Sequence, residues 1–297
     1  MRKLICLLLL GGAVPAQAAA PSYAHVEALQ PPAWVLRGDA RTALAPGMPL
    51  YAGERYLTGE HARVHFALDD GSVVKLGEQA EFSLPRLSLK KGQDQTAVLQ
   101  GALQLLKGAF RFTTSVLGHL KRRELDIAVG PTITAGIRGT DIWGESDSEQ
   151  ELLCLIEGKL DVRSPGQSAV TMDQPKTFYV VPRGQGPQPV VATPPEKLEG
   201  WIPQTELIGQ EVSLHARARW SLVLAQYLEV ARARERVAQL DAAGYPVSIV
   251  QRPSKDIVLQ ALVTEGFRSR DDAQRYAAEL QQKFDFVQKP QVLAPAN

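Results

Sequence analysis

His61 and His65 stand four residues apart, the spacing of a metal-binding pair on one helical face. Both fall at or inside a stretch that alternates polar and apolar residues with period two, so they read as strand positions instead. Asp69 and Asp70 are adjacent carboxylates. Neighbours on a strand point to opposite faces, and Gly71 assigns the pair to a hairpin turn. No His-Glu-x-x-His and no Gly-x-Ser-x-Gly occurs, and Gly184-Gln185-Gly186 continues as Pro-Gln-Pro rather than as a dinucleotide loop. Cys154 lies in the apolar run 152–156 and reads as core. No nucleophile–base pair emerges, so no catalytic residue, metal or cofactor is expected. The sharpest short motif is Gly136-Ile137-Arg138-Gly139-Thr140-Asp141. Arg138, with Thr140 beside it, offers a guanidinium fork to a partner's carboxylate or phosphate. In the competing reading the motif is structural: Gly136 and Gly139 permit a tight bend that Thr140 caps. The basic runs Lys90-Lys91 and Lys121-Arg122-Arg123 read as solvated turns.

These residues must be positioned by strands. Residues 33–181 carry short apolar runs punctuated by Gly, Asp-Gly and Pro. The candidate strands are 63–68, 72–76, 101–106, 109–113, 125–129, 152–156, 159–163 and 178–181, with tight turns at Asp70-Gly71 and Glu157-Gly158. Residues 182–219 follow, with six prolines by residue 203. They read as an extended linker, with a short helix expected within 204–219. Residues 220–291 read as strand-helix-strand-strand-helix-strand. Val230, Ala233, Val237 and Leu240 have helical spacing, Gly244 sits at a helix end, and Ser269 through Asp272 form a capping box. The region repeats itself at an offset of 40: Leu222 with Leu262, Val223 with Val263, Ala233 with Ala273 and Leu240 with Leu280. Two such halves make a four-stranded antiparallel sheet with both helices on one face and the other face bare.

The 297 residues hold 33 basic and 32 acidic side chains, a net charge of +1. That balance is against a dedicated nucleic-acid-binding domain. Arg2 and Lys3, the apolar run 4–14 and Ala16-Gln17-Ala18 have the pattern of a cleaved signal peptide over 1–18, which predicts export to the periplasm. No later stretch reaches the ~18 apolar residues of a membrane span. The two cysteines, Cys6 and Cys154, rule out a disulfide framework. Two independently folding domains joined by a flexible tether are expected.

Residues 220–291 resemble a SPOR domain, the sporulation-related repeat that binds peptidoglycan. The resemblance rests on Leu222 through Tyr227, Leu240 through Pro246, and Gly266 through Gln274. It implies a ferredoxin-like βαββαβ fold whose bare face holds glycan strands depleted of stem peptides. On that face Gln226 and Gln260 suit sugar hydroxyls. Tyr227 and Phe267 either stack on sugar rings or close the core beneath the sheet. Val223 and Val263 replace polar residues of the family, which implies weaker affinity. Residues 33–163 resemble a FecR domain through Gly53-Glu54-Arg55-Tyr56-Leu57-Thr58-Gly59, Asp70 through Gly77 and the 136–141 motif. That resemblance implies an all-β module over 33–181, solenoid-like or rolled. No cytoplasmic anti-sigma segment precedes it. The combined expectation is a multidomain, non-enzymatic periplasmic envelope protein, of the kind at work in cell division. It docks on peptidoglycan through the SPOR-like part, while the FecR-like part scaffolds or recognises an unknown periplasmic protein. In the alternative expectation it is a protein–protein adaptor or signalling module whose SPOR-like domain no longer binds glycan.

Overall fold

A computed structural model describes residues 21–91, 97–114, 122–137, 139–254 and 257–295. The expected signal peptide and Arg138 lie outside the described residues. Two β layers share one long strand. The first layer runs β17 (Leu214–His215), β1 (Ala24–Gln30), β5 (Arg63–Leu68), β6 (Val73–Leu76), the second half of β8 (Ala97–Thr113), β11 (Asp141–Ser146), β12 (Gln150–Glu157), β15 (Thr177–Pro182) and β16 (Val191–Ala192). The second runs β3 (Ala40–Ala43), β2 (Ala33–Arg37), β4 (Arg55–Thr58), β7 (Glu81–Lys91), the first half of β8, β9 (Arg122–Val129), β10 (Ile133–Ile137), β13 (Leu160–Arg163) and β14 (Val170–Met172). Neighbours are antiparallel except β8 and β9. Neither layer closes into a barrel.

The strand that crosses between layers turns at Gly108. Its φ is +85°, and a Cβ there would lie 2.7 Å from Ala80 Cα, so only glycine fits the corner. Alternation along each strand turns Val26, Val64, Phe66, Phe110 and Leu153 of one layer toward Val35, Tyr56, Phe82, Leu105 and Ile127 of the other, all buried. The Tyr56 and Phe66 rings, from opposite layers, lie 4.9 Å apart. The Asp70-Gly71 turn joins β5 to β6, as its sequence demands, with Gly71 at φ +83°.

A third sheet runs β19 (Ser248–Ser254), β20 (Ile257–Phe267), β18 (Trp220–Tyr227) and β21 (Gln291–Leu293), all antiparallel. Helices α2 (Val230–Ala242) and α3 (Arg270–Lys283) lie between its strands in sequence. The repeat-related Ala233 and Ala273, and Leu240 and Leu280, are buried together with Leu222, Leu224 and Leu262. Ser269 Oγ accepts from Asp272 N at 3.0 Å, which caps α3. Gly244, at φ +81°, ends α2 while Tyr245 N donates to Leu240 O at 3.0 Å. Among the described residues no helix is long and apolar enough to cross a membrane.

The proline-rich segment differs from the expected tether. It carries α1 (Pro195–Trp201) and a 3₁₀ turn over Ile202–Thr205, and the helix expected within 204–219 is replaced by β17. The reason is that its non-proline residues find partners on the first layer. Trp201 stacks on Trp143 at 4.9 Å and 6°, edge-on to Phe178 at 6.0 Å. Glu206 takes Lys75 Nζ at 2.6 Å and Arg111 Nη1 at 3.0 Å. The Gln30 side chain brackets Ile208, donating to its O at 2.8 Å and accepting from its N at 2.9 Å. The expected independence of the two parts is corrected in the same way. Trp34 Nε1 donates to Asp241 O at 3.0 Å, Ala43 N to Asp241 Oδ1 at 3.1 Å and Ala33 N to Gly244 O at 3.2 Å, so the end of α2 is docked on the β2–β3 hairpin.

Candidate functional site

The outer face of the second layer carries a polar trough of about 410 Å³ spanning β7, β8, β9, β10 and β13. Strand alternation builds it. Leu87, Leu99, Leu125, Ile127, Ile137 and Val162 point into the core, which leaves their neighbours Arg86, Glu124, Asp126, Asp161 and Arg163 exposed. The ladders align Ala102, Asp126, Gly136 and Asp161 in one row across four strands. In that row Gly136 projects nothing, and its nearest neighbour at the Cβ position is Asp126 Oδ1 at 3.9 Å. The result is a slot one strand wide between two carboxylates, about 10 Å apart at ~4.8 Å per strand. Arg86 and Lys90 on one side and Arg163 on the other frame it with positive charge. Glu124 accepts from Gln100 Nε2, and Asp161 Oδ1 accepts from Thr171 Oγ1 at 2.7 Å. Two carboxylates flanking an empty slot suit an incoming ammonium or guanidinium, and the framing cations suit a partner's carboxylates.

Sequence reasoning passed over this constellation. A signal existed in 124–127 and 160–163, where charged and apolar residues alternate, but reading it required the strand neighbours. Of the motif singled out, Gly136 belongs to the middle of β10 rather than to a bend. Gly139, at φ +131°, makes the bend. Thr140 is only 2 % exposed and packs against Gly158, so it cannot meet a partner. Asp141 is held by Arg111 in a two-pronged pair, at 2.9 and 2.6 Å. Arg123, expected on a solvated turn, is instead buried with Asp70 at 3.1 Å, where Ser72 N and Oγ complete the carboxylate's partners.

The four candidates in the C-terminal sheet are not brought together on one face. Gln226 pairs with Ala261, which clusters with Val223, Val263 and Leu293 on the side away from the helices. Tyr227 pairs with Gln260 on the helix side, where Tyr227 packs against the core and Gln260 is buried. Phe267 is fully buried, its ring 5.2 Å from that of Tyr276, so it closes the core and has no surface for a sugar. The reason is a β-bulge between Val223 and Ala225, which reverses the alternation of β18 after Leu224.

Cys154 is buried in a cluster with Trp143, Leu152 and Val180, and burial pushes its thiol up to about 11. His65 is largely buried beside the 3₁₀ turn, where its Nε2 donates to Thr205 O at 3.0 Å; burial takes its pKa down to about 4 and leaves it neutral. Among the described residues no group of three or more His, Cys, Asp and Glu side chains could hold a metal.

None of the curated proteins compared matches the chain. Two crystal structures described as those of a candidate anti-sigma factor from Parabacteroides distasonis resemble it. One has 13% identity over 78% of this chain and 91% of its own, with a TM-score of 0.40; the other has 12% identity over 78% and 92%, with a TM-score of 0.39. Residues 54–161, which include most of the trough, match the family model described as FecR protein.

Proposed function

We propose that this chain is a non-enzymatic, exported envelope protein that works as a signalling or adaptor module and grips a partner protein in the trough of its second β layer. The observation that carries this reading is the slot over Gly136 between Asp126 and Asp161, framed by Arg86, Lys90 and Arg163. The partner it suits is a segment with a lysine or arginine flanked by acidic residues. The match of residues 54–161 to the FecR family supports the same region as the working part. Gly136→Tyr tests it. The glycine lies in extended backbone with open space above it, so the variant folds normally while its ring fills the slot. Crosslinking in the periplasm should capture a partner with the parent protein and lose it with Gly136→Tyr. Capture that is identical for both would refute the reading.

A second reading is supported by the four-stranded C-terminal sheet, in the order β19-β20-β18-β21, where Val223, Ala261 and Val263 form a cluster apart from the residues packed with the helices. In that reading the SPOR-like unit adds a foothold on stem-peptide-depleted glycan strands. Gln226 is the one residue of the original four available for it. Sedimentation of the full chain with purified sacculi, lost in Gln226→Ala, would support this foothold, and failure of the parent chain to sediment would remove it.

A further inference from the structure

A cleft of about 430 Å³ opens where the first β layer meets the C-terminal sheet, lined by Glu27, His215, Arg217, Arg219, Trp220 and Arg268. Three arginines and one carboxylate are among its lining residues, and Glu27 lies 3.2 Å from His25 Nε2. The loop that carries Arg217 and Arg219 is held in place before any ligand arrives: Ala216 N donates to Glu27 O at 2.9 Å and Ala218 N to His215 O at 3.2 Å. Arg268 is fixed from the opposite wall. His215 is 8% exposed, its Nδ1 accepts from Arg268 Nη2 at 3.2 Å, and its Nε2 therefore donates to Ser213 Oγ at 2.8 Å. An uncharged imidazole thus aims a guanidinium without neutralising it. Among the described residues neither Arg217 nor Arg268 forms an ion pair with a carboxylate. Half-buried Trp220 supplies an apolar wall.

We propose that this cleft is a phosphoryl-binding site, in which Arg217, Arg219 and Arg268 hold the phosphate oxygens and the organic part of the ligand lies against Trp220. Phosphate is favoured over carboxylate because a tetrahedral dianion presents enough oxygens for several guanidinium forks at once, each a charge-assisted hydrogen bond. The volume exceeds that of a phosphate alone and leaves room for a sugar or glycerol unit. The site is separate from the trough and depends on the seam between the two parts of the chain.

The test uses the full chain, titrated with inorganic phosphate in a calorimeter and sedimented with vesicles of phosphatidylcholine, with or without phosphatidylglycerol. Saturable phosphate binding is expected, weakened at least about tenfold in Arg217→Ala, Arg219→Ala, a change in two exposed side chains, with a melting curve recorded for each variant to compare its fold with the parent's. The conservative pair Arg217→Lys, Arg219→Lys should recover part of the affinity. Binding to phosphate without any preference for phosphatidylglycerol vesicles identifies a soluble phosphoryl ligand. A preference lost in the alanine pair identifies a lipid headgroup. Absence of both kinds of binding, or binding that the alanine pair leaves unchanged, overturns the proposal.

Discussion

Gly244→Ala should weaken the protein in two separable ways. Gly244 holds φ at +81°, a conformation that costs an L-residue about 1 kcal/mol. An added Cβ would also lie 2.7 Å from Pro32 Cβ and from Trp34 Cε2 and Cζ2, so α2 must back away from the β2–β3 hairpin. Backing away breaks the three hydrogen bonds of the seam, from Ala33, Trp34 and Ala43, at about 1 kcal/mol each. The expected loss is about 4 kcal/mol. Gly38→Ala is the matched control: Gly38 has φ +59° with nothing within 4 Å of its Cβ position, so it bears only the backbone cost of about 1 kcal/mol. At roughly 3 °C per kcal/mol, scanning calorimetry should place Gly38→Ala about 3 °C below the parent. Gly244→Ala should fall about 12 °C below it, or split into two transitions as the parts uncouple. Equal shifts for the two variants would show that the seam contributes nothing, and the argument that the parts are energetically one body would fail.

His65 adds a pH dependence with a defined sign. Its folded pKa of about 4 lies below its ordinary 6.5, so the unfolded chain binds the extra proton. Stability is therefore complete above pH 6.5 and is lost as pH falls from 6.5 to 4, by about 3 kcal/mol at 1.36 kcal/mol per unit. Urea titrations of the parent and of His65→Gln should diverge over that interval, and parallel curves would count against the assignment. Trp201→Ala should release α1 from Trp143 and uncover Cys154. Mass spectrometry should then find Cys154 alkylated in the native variant and protected in the parent, whereas equal protection would mean that α1 is held by other contacts.

Much of the fold follows from local signals in the sequence. Period-two alternation marks β5, β6 and β13. The Asp-Gly turn, the Gly244 helix end and the Ser269 cap are recognisable from a few adjacent residues, and each is where its chemistry requires it. The first strands are harder to recognise: β1 alternates only over Ala24 to Ala28 before Leu29 and Gln30 are both buried, and β2 is a short apolar run, Ala33 to Leu36, with no alternation to read. The linker misled for a different reason. Prolines cannot donate to a strand, so a proline-rich segment looks unattached. Its fastening is done by Trp201, Glu206 and Ile208, whose partners Trp143, Arg111 and Gln30 are distant in sequence.

The sites were harder to read because a face is a property of register. Strict alternation along β18 places Tyr227 beside Val223 on the open side. One extra residue at Leu224 sends Tyr227 and its partner Gln260 to the helices and leaves Gln226 facing out. Nothing in six adjacent residues announces that bulge, since both Leu224 and Ala225 suit a position against the apolar faces of the helices. The trough poses the converse problem. Its strands β9, β10 and β13 pair in unbroken register, but the slot exists only because Gly136 falls between Asp126 and Asp161, residues brought together by two antiparallel ladders. A glycine in a strand interior weakens the strand and contributes no packing. At Gly136 neither a positive φ nor a close approach requires it. Space for a partner's side chain is the use that remains, which makes Gly136 the residue on which the proposed docking most directly depends.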